Sequence, residues 1–442
     1  MRTLRVRSVT WEAQDILSFE LVDPNGGELP LVEAGAHPSA ILALFLVGGC
    51  IALAGAFIVG RLATVFPGSG GPYRYLGEAF GPRTAFLFQW SRFGVMQTAA
   101  VAVLARTATA FLAQAFGWSG PMSDYWETVA AMGLVLAAAG LNAAGLRLGR
   151  AVQAALTLLK VVILLAFSMA AFTIGDLSWQ GQGRSAAPGT WMLLAIFAFG
   201  GWTQITFMAG ELDDPRKLPR PLASGVLGVT ILYLVALAAM LASMPSTGPG
   251  DQLAITVAGS LFGETGQRVV AVAIAVAVLG GLHTFTMTGA RLYQAAAQDG
   301  GWWRPFARSN RFGAPGTSLA YQALWSCFLL AGSLLVADAF TALIASVSTG
   351  SWLFHGLLGL AWFRTRDRPA AFDTPGRAWT AGTFTLLAGA IVVAGLIQDG
   401  LRIAEGAWDE LGAVWALAVL GLGALIPVRR QQAPPEPIPA PF

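Results

Sequence analysis

Charge is scarce in this chain. Only 12% of its 442 residues are Asp, Glu, Lys or Arg, where a soluble domain carries about 25%. That shortage excludes an ordinary water-solvated domain. Cysteine is scarcer still: Cys50 and Cys327 both lie in apolar runs, so no disulfide framework is implied. Three histidines and two cysteines, far apart, offer no metal-ligand cluster. No Gly-rich dinucleotide turn in a βαβ context and no ferredoxin-type cysteine set occurs. The first residues are polar and alternate, so no cleavable signal peptide is read there. The net charge of +3 is a poor guide to partners, and no nucleic acid and no cofactor are expected.

What is present is apolar. Hydrophobic residues make up 55% of the chain and the mean hydropathy is +0.62. Runs of about 20 apolar residues predict eleven membrane spans, near 39–66, 85–117, 125–146, 151–175, 189–211, 222–244, 268–297, 318–337, 339–363, 380–398 and 409–428. Sixteen cations, among them Arg74, Arg83, Arg147, Arg216, Lys217, Arg304, Arg364 and Arg429, fall in alternate connections or the C-terminal tail. The opposite connections hold only Arg184, Arg268 and Arg402 amid many acids. Positive charge marks the cytoplasmic side, so the C-terminus is expected inside the cell and, with eleven spans, the N-terminus outside. The Pro-rich end, 431–442, reads as a disordered tail.

One span is built to break. Trp191 to Pro221 reads WMLLAIFAFGGWTQITFMAGELDDPRKLPRP. Two adjacent glycines cost about 1 kcal/mol each against alanine inside a helix. In lipid an interruption survives only where protein or a water-filled cavity satisfies the freed backbone. Discontinuous helices at mid-membrane are where secondary transporters hold substrate.

This stretch resembles the sixth helix of permeases of the amino acid–polyamine–organocation superfamily, most closely the L-type branch. FPGSGGPYRYLGEAFG, residues 66–81, followed by Trp90, is similar to that family's F-P-x-x-G-G-x-Y-x-Y-L loop. Gly145-Leu146-Arg147 with Arg150, Gln153 and Lys160, then Gly289 to Tyr293 with Asp299-Gly300, then Trp352-Leu353-Phe354 with Arg364 and Arg368-Pro369, follow in the family's order. One departure is Gly60-Arg61-Leu62, where the family usually has an acidic residue before the leucine. The resemblance implies an all-α polytopic membrane protein, an inverted-repeat transporter bundle of five plus five helices with two more at the C-terminus. With about eleven spans starting at Pro38, the first helix of the first repeat is expected to be missing.

Residues 1–37 read differently. They alternate apolar and polar side chains around a Pro24-Asn25-Gly26-Gly27 turn, as in a β-hairpin. Glu12-Ala13, Ile16, Ser18-Phe19-Glu20-Leu21 and Ala34-Gly35-Ala36-His37 are similar to the opening of the flavin-binding domain of vanillate-demethylase-type reductase subunits, without that family's later flavin motif. The expected organisation is a non-permease segment at 1–37, from a fusion or a gene-model error, then a permease domain at 38–430. A polar N-terminal extension is the alternative.

The candidate substrate segment is Phe197, Ala198, Gly200, Gly201, Trp202 and Thr203, whose unwound backbone offers amides and carbonyls to α-amino and α-carboxyl groups. A glycine contact for close helix packing is the plainer alternative. By resemblance, Phe197 closes over substrate, Lys160 is a built-in cation where relatives hold sodium, and Glu211 with Asp213 and Asp214 gates the inner mouth. For Lys160, snorkelling to the cytoplasmic face is the other reading. Arg92 and Arg106, fourteen residues apart, are expected on one helical face, lining the bundle interior unless Arg92 merely sits near the cytoplasmic end. His283, His355 and Asp338 could relay protons, although single polar residues in spans are more often satisfied by neighbours.

Function divides three ways: a plasma-membrane (inner-membrane) permease moving an amino acid or related amine, with protons as a candidate coupling ion; an inactive remnant of one; or a membrane-tethered reductase. The first is favoured, and the third fails on content.

Overall fold

A computed structural model of the chain describes residues 5–13, 16–22, 38–118, 122–175, 198–212, 214–244, 252–335, 339–404 and 411–427. Twelve α-helices of eight or more residues are found among the described residues. They are α1 Pro38–Val65, α2 Pro72–Phe80, α3 Pro82–Ser91, α4 Gln97–Phe116, α5 Ser123–Ala143, α6 Leu146–Ile174, α7 Pro219–Ala242, α8 Leu253–Gln298, α9 Gly316–Ser333, α10 Ala339–Arg364, α11 Ala378–Ala404 and α12 Gly412–Leu425. A π turn, Arg92–Met96, joins α3 to α4, and a 3₁₀ segment, Gln204–Glu211, precedes α7.

Eight of these stretches are long and apolar enough to cross a membrane. α12, at 14 residues, reaches only about 21 Å against a hydrocarbon core of about 30 Å. α9 has 18 residues, with Ser, Thr and Gln among them, which dilutes its hydropathy. The expected span at 189–211 is not one helix over its described part: Ala198 is helical, 199–203 turn, and the 3₁₀ segment follows. α8 starts well before the expected 268 and bends at Gly263, whose φ of 64° is left-handed.

The helices pair across the bundle. α1 lies along α7 and α4 along α8, each beside the element five spans further on in the sequence. α10 lies along α11, and α6 packs on both α7 and α8. Between them runs one continuous core, with Ile58, Val59 and Leu62 of α1 and Val278 and Leu292 of α8 almost wholly buried.

The N-terminal hairpin forms, but its turn does not fall where the Pro-Asn-Gly-Gly signal put it. β1, Arg5–Ala13, pairs antiparallel with β2, Ile16–Val22, and the ladder closes at Ala13↔Ile16. Alternation continues through both strands, which is compatible with this register. β1 lies beside α8. Pro24 to Gly27 lies outside the described residues.

Arg61 shows how a charge is accommodated inside the bundle. It is 2% exposed, and Nη2 donates to the carbonyls of Thr365, Arg366 and Arg368 at 3.0, 2.9 and 3.2 Å. Nε lies 3.5 Å from Asp373 and the guanidinium sits over the Trp362 ring. The residue that departs from the family pattern is therefore a pin between α1 and the loop after α10. Removing a buried, fully bonded charge partner strands several carbonyls, at a cost of about 3 kcal/mol. Arg61→Leu is expected to lower the melting temperature of the detergent-purified chain clearly. Arg61→Lys, with a point charge in place of the planar fork, should recover only part; an unchanged melt in both variants would show that the pin carries no stability.

Candidate functional site

The local sequence dictates the break. Gly201 has φ of 78°, a left-handed conformation that L-residues with a Cβ avoid. The Gln204 amide donates to the Gly201 carbonyl at 2.9 Å, and the Thr206 amide to that of Thr203 at 3.0 Å. These tight bonds carry the chain from the turn into the 3₁₀ segment. The segment is clasped by the loop at 66–71. A Cβ on Gly71 would fall 2.9 Å from the Thr206 carbonyl carbon, and one on Gly210 would meet the Ser69 amide at 3.0 Å. The Gly70 amide reaches the Phe207 carbonyl at 3.5 Å. Gly71 of FPGSGG is thus required because two backbones touch, while Gly68 and Gly70 have φ of 131° and 97°, which residues with a Cβ avoid.

On the other side, polar side chains knit the break to the long helices. Thr288 donates to Gln204 Oε1 at 2.7 Å, and Gln97 Nε2 to the Phe285 carbonyl at 2.7 Å, while the Gln97 and Gln204 amides pair at about 3.4 Å. Trp202 lies against Gly55, where a Cβ would come within 2.5 Å of its ring, and stacks on His355 with centroids 5.1 Å apart.

A cavity of about 100 Å³ opens beside the break. Gly200, Gly201, Trp202, Thr203 and Gln204 form one wall; Ala100, Val103 and Leu104 of α4, Phe285 of α8, and Ser348, Ser351, Trp352 and His355 of α10 form the others, with Arg92 at its edge. Its lining is mostly apolar with a few polar groups, the pattern of small-molecule sites. Four of the expected substrate residues meet here. Ala198 is buried and is not part of the lining. Phe197, Asp213 and Asp338 lie outside the described residues, as does the side chain of Glu211, which ends the 3₁₀ segment.

Lys160 is elsewhere. It lines a second, apolar cavity of about 180 Å³ with Thr157, Tyr233 and Ala277, and its Nζ approaches Gly280 of α8. His283 is bonded at both nitrogens: Asn142 Nδ2 donates to Nδ1 at 3.1 Å, and Nε2 donates to the Gly149 carbonyl at 2.9 Å. It ties α5, α6 and α8 together and has no proton to relay without breaking that tie.

Arg92 and Arg106 do not share a face. The π turn holds an extra residue, which swings the helix beyond it by roughly 100°. Arg106 turns to α5, bonding Glu127 and, at 2.8 Å, Asp124. Arg92 stays with the cavity. Among the described residues no three His, Cys, Asp or Glu side chains converge as metal ligands. Sequence reasoning did not find Gln97, Gln204, Thr288 or His355 as neighbours of the break; their one signal was a lone polar residue in an apolar run.

Residues 18–424 match the family model described as amino acid permease. The chain is 28% identical over 276 residues to the serine/threonine exchanger SteT of Bacillus subtilis (strain 168), covering 61% of this chain and 62% of that protein. It is 27% identical over 348 residues to the b(0,+)-type amino acid transporter 1 of Mus musculus, covering 73% and 68%. With the Asc-type amino acid transporter 1 of Mus musculus it shares 29% over 373 residues, covering 79% and 67%.

The geometry at Gly201 separates strain from crowding. A Cβ there would meet only Phe285, at an ordinary 3.7 Å, so Gly201→Ala should cost about 1–2 kcal/mol from the left-handed φ alone. Gly228 of α7 has open space around its Cβ position, so Gly228→Ala should be neutral or stabilise by about 0.5–1 kcal/mol. Melting curves of the two variants moving in the same direction would contradict the conformation at Gly201.

Proposed function

The chain belongs to the amino acid permease family, and on that premise we propose that it is a secondary transporter that carries an amino acid or related amine across the plasma membrane by alternating access. The observation that supports this most is the glycine-walled cavity at the helix break. Unwound backbone at Gly200 to Thr203 adds polar groups to the few side chains, Gln204, Ser348, Ser351 and His355, that an otherwise mostly apolar lining offers. Substrate sits against Gly200, Gly201, Trp202 and Thr203, with its uncharged portion toward α4. Transporter relatives that act on amino acids, two of them mammalian, support the substrate class. The C-terminus lies in the cytoplasm, and protons are the candidate coupling ion.

Lys160 acts apart from substrate. It lies on α6 facing α8, in a cavity of its own. A charge at that depth is costly, and its effect falls on the balance between outward and inward states. Glu211, at the end of the 3₁₀ segment, belongs to the gate on the cytoplasmic side.

Two measurements test this. Gly200→Leu should abolish amino-acid uptake into proteoliposomes while leaving membrane insertion intact; unchanged uptake would remove the site assignment. Lys160→Ala should slow turnover more than it weakens equilibrium substrate binding. Loss of binding with normal turnover of what still binds would place Lys160 at the substrate instead.

A further inference from the structure

The intramembrane arginines of α1 to α4 are accommodated in different ways. Arg61 spends its donors on carbonyls and Asp373. Arg106 bonds two carboxylates of α5. Arg92 is 6% exposed, yet among the described residues its Nε and Nη2 have no hydrogen-bond partner. What it does have is aromatic: its guanidinium lies over Phe207 at 5.0 Å and Phe88 at 5.8 Å. Cation–π contacts offset part of the burial cost, but an arginine within a span is expected to have a partner for its charge.

Among the described residues, no such partner lines the cavity. The cavity that Arg92 borders includes Ser348, Ser351 and His355 and, among the described residues, no aspartate or glutamate. His355 Nδ1 is likewise buried without a partner. Nε and Nη2 form one edge of the guanidinium, whose two parallel N–H groups match the two oxygens of a carboxylate. The acids of α5, Asp124 and Glu127, are engaged by Arg106.

We propose that Arg92 is the anion receptor of this cavity, so that the cargo must carry a carboxylate, which docks on the Nε–Nη2 edge beside His355. The proposal rests on the reading of the cavity as the cargo site and narrows it. Amines without a carboxylate are excluded as cargo. A cationic side chain finds a positive charge at the cavity edge and no acid among the described lining residues, so small neutral or acidic amino acids are favoured. The carboxylate comes either from the α-carboxyl group or from an acidic side chain.

The test is equilibrium binding to the purified full chain with L-serine, L-serinamide, ethanolamine and L-glutamate. Wild type should bind serine or glutamate at least about 100-fold more tightly than serinamide or ethanolamine, the discrimination expected of a buried group left unpaired by the wrong ligand. Serine binding assigns the α-carboxylate; binding of glutamate without serine assigns the side-chain carboxylate. Arg92→Gln should lose the carboxylate preference to within about threefold, and Arg92→Lys should keep an intermediate preference because it retains charge without the fork. Serinamide or ethanolamine bound as tightly as serine by the wild type overturns the proposal even where the variants do not fold, and leaves the transport reading standing. Wild-type chain that binds none of the four overturns both.

Discussion

Everything in this bundle follows from one constraint: in hydrocarbon each backbone N–H and C=O must find a partner within the protein. Unbroken helices meet it automatically. The interruption at Phe199 to Thr203 does not, and its surroundings read as the response. Gly201 takes the left-handed conformation that lets the next amides bond back at Gln204 and Thr206. The loop at 66–71 presses its backbone against the 3₁₀ segment, and Gln97 and Thr288 hold the side chain of Gln204, the first residue of that segment. A packing contact alone would need small residues, not this concentration of hydrogen-bonding side chains at one depth.

Much of this was legible in the sequence because it is periodic or conformational. The spans follow from hydropathy, the break from Gly200-Gly201, and the clasp from FPGSGG, whose last glycine marks backbone contact. What was not legible depends on relations between segments. The π turn at Arg92–Met96 leaves no compositional mark, yet it separates two arginines that a 3.6-residue period places together. The hairpin turned at Ala13↔Ile16 because pairing register depends on both strands, not on the turn residues alone. His355 gave no hint of its stacking on Trp202, since the two are 153 positions apart (355 − 202). Lys160 could be flagged as an unusual charge, but its seat in a cavity distinct from that of Gly200 is a fact of three-dimensional packing.

The same arithmetic of desolvation explains why charge is so scarce and so unevenly used. Arg61 exchanges water for three carbonyls and Asp373, and in doing so fixes the loop after α10 to α1. Asp399, 2% exposed, accepts from the Val414 amide at 2.8 Å, so an otherwise unsatisfied donor in the first turn of α12 and a buried carboxylate solve each other. His283 is held between Asn142 and Gly149. Each polar residue in this group gains fixed partners and loses freedom, which makes it a poor candidate for moving charge.

Set against these, the edge of the Gly200 cavity differs in kind. A transporter must hold its cargo and then release it, so the groups that meet cargo cannot be permanently satisfied by the protein; they need polar capacity left over in the empty state. At the break some of the backbone is already spent, the Gly201 and Thr203 carbonyls accepting from Gln204 and Thr206, so side chains matter beside it. An arginine supported by aromatic faces retains such capacity, since rings stabilise the cation without occupying its N–H donors. The distinction between Arg61 and Arg92 is therefore not burial, which is nearly equal at 2% and 6%, but whether the donors, Nε and Nη2 in Arg92, are spent on the described residues. Spent donors hold the bundle together, and unspent ones beside a cavity are where a cargo can change the energy of one state of the bundle relative to another.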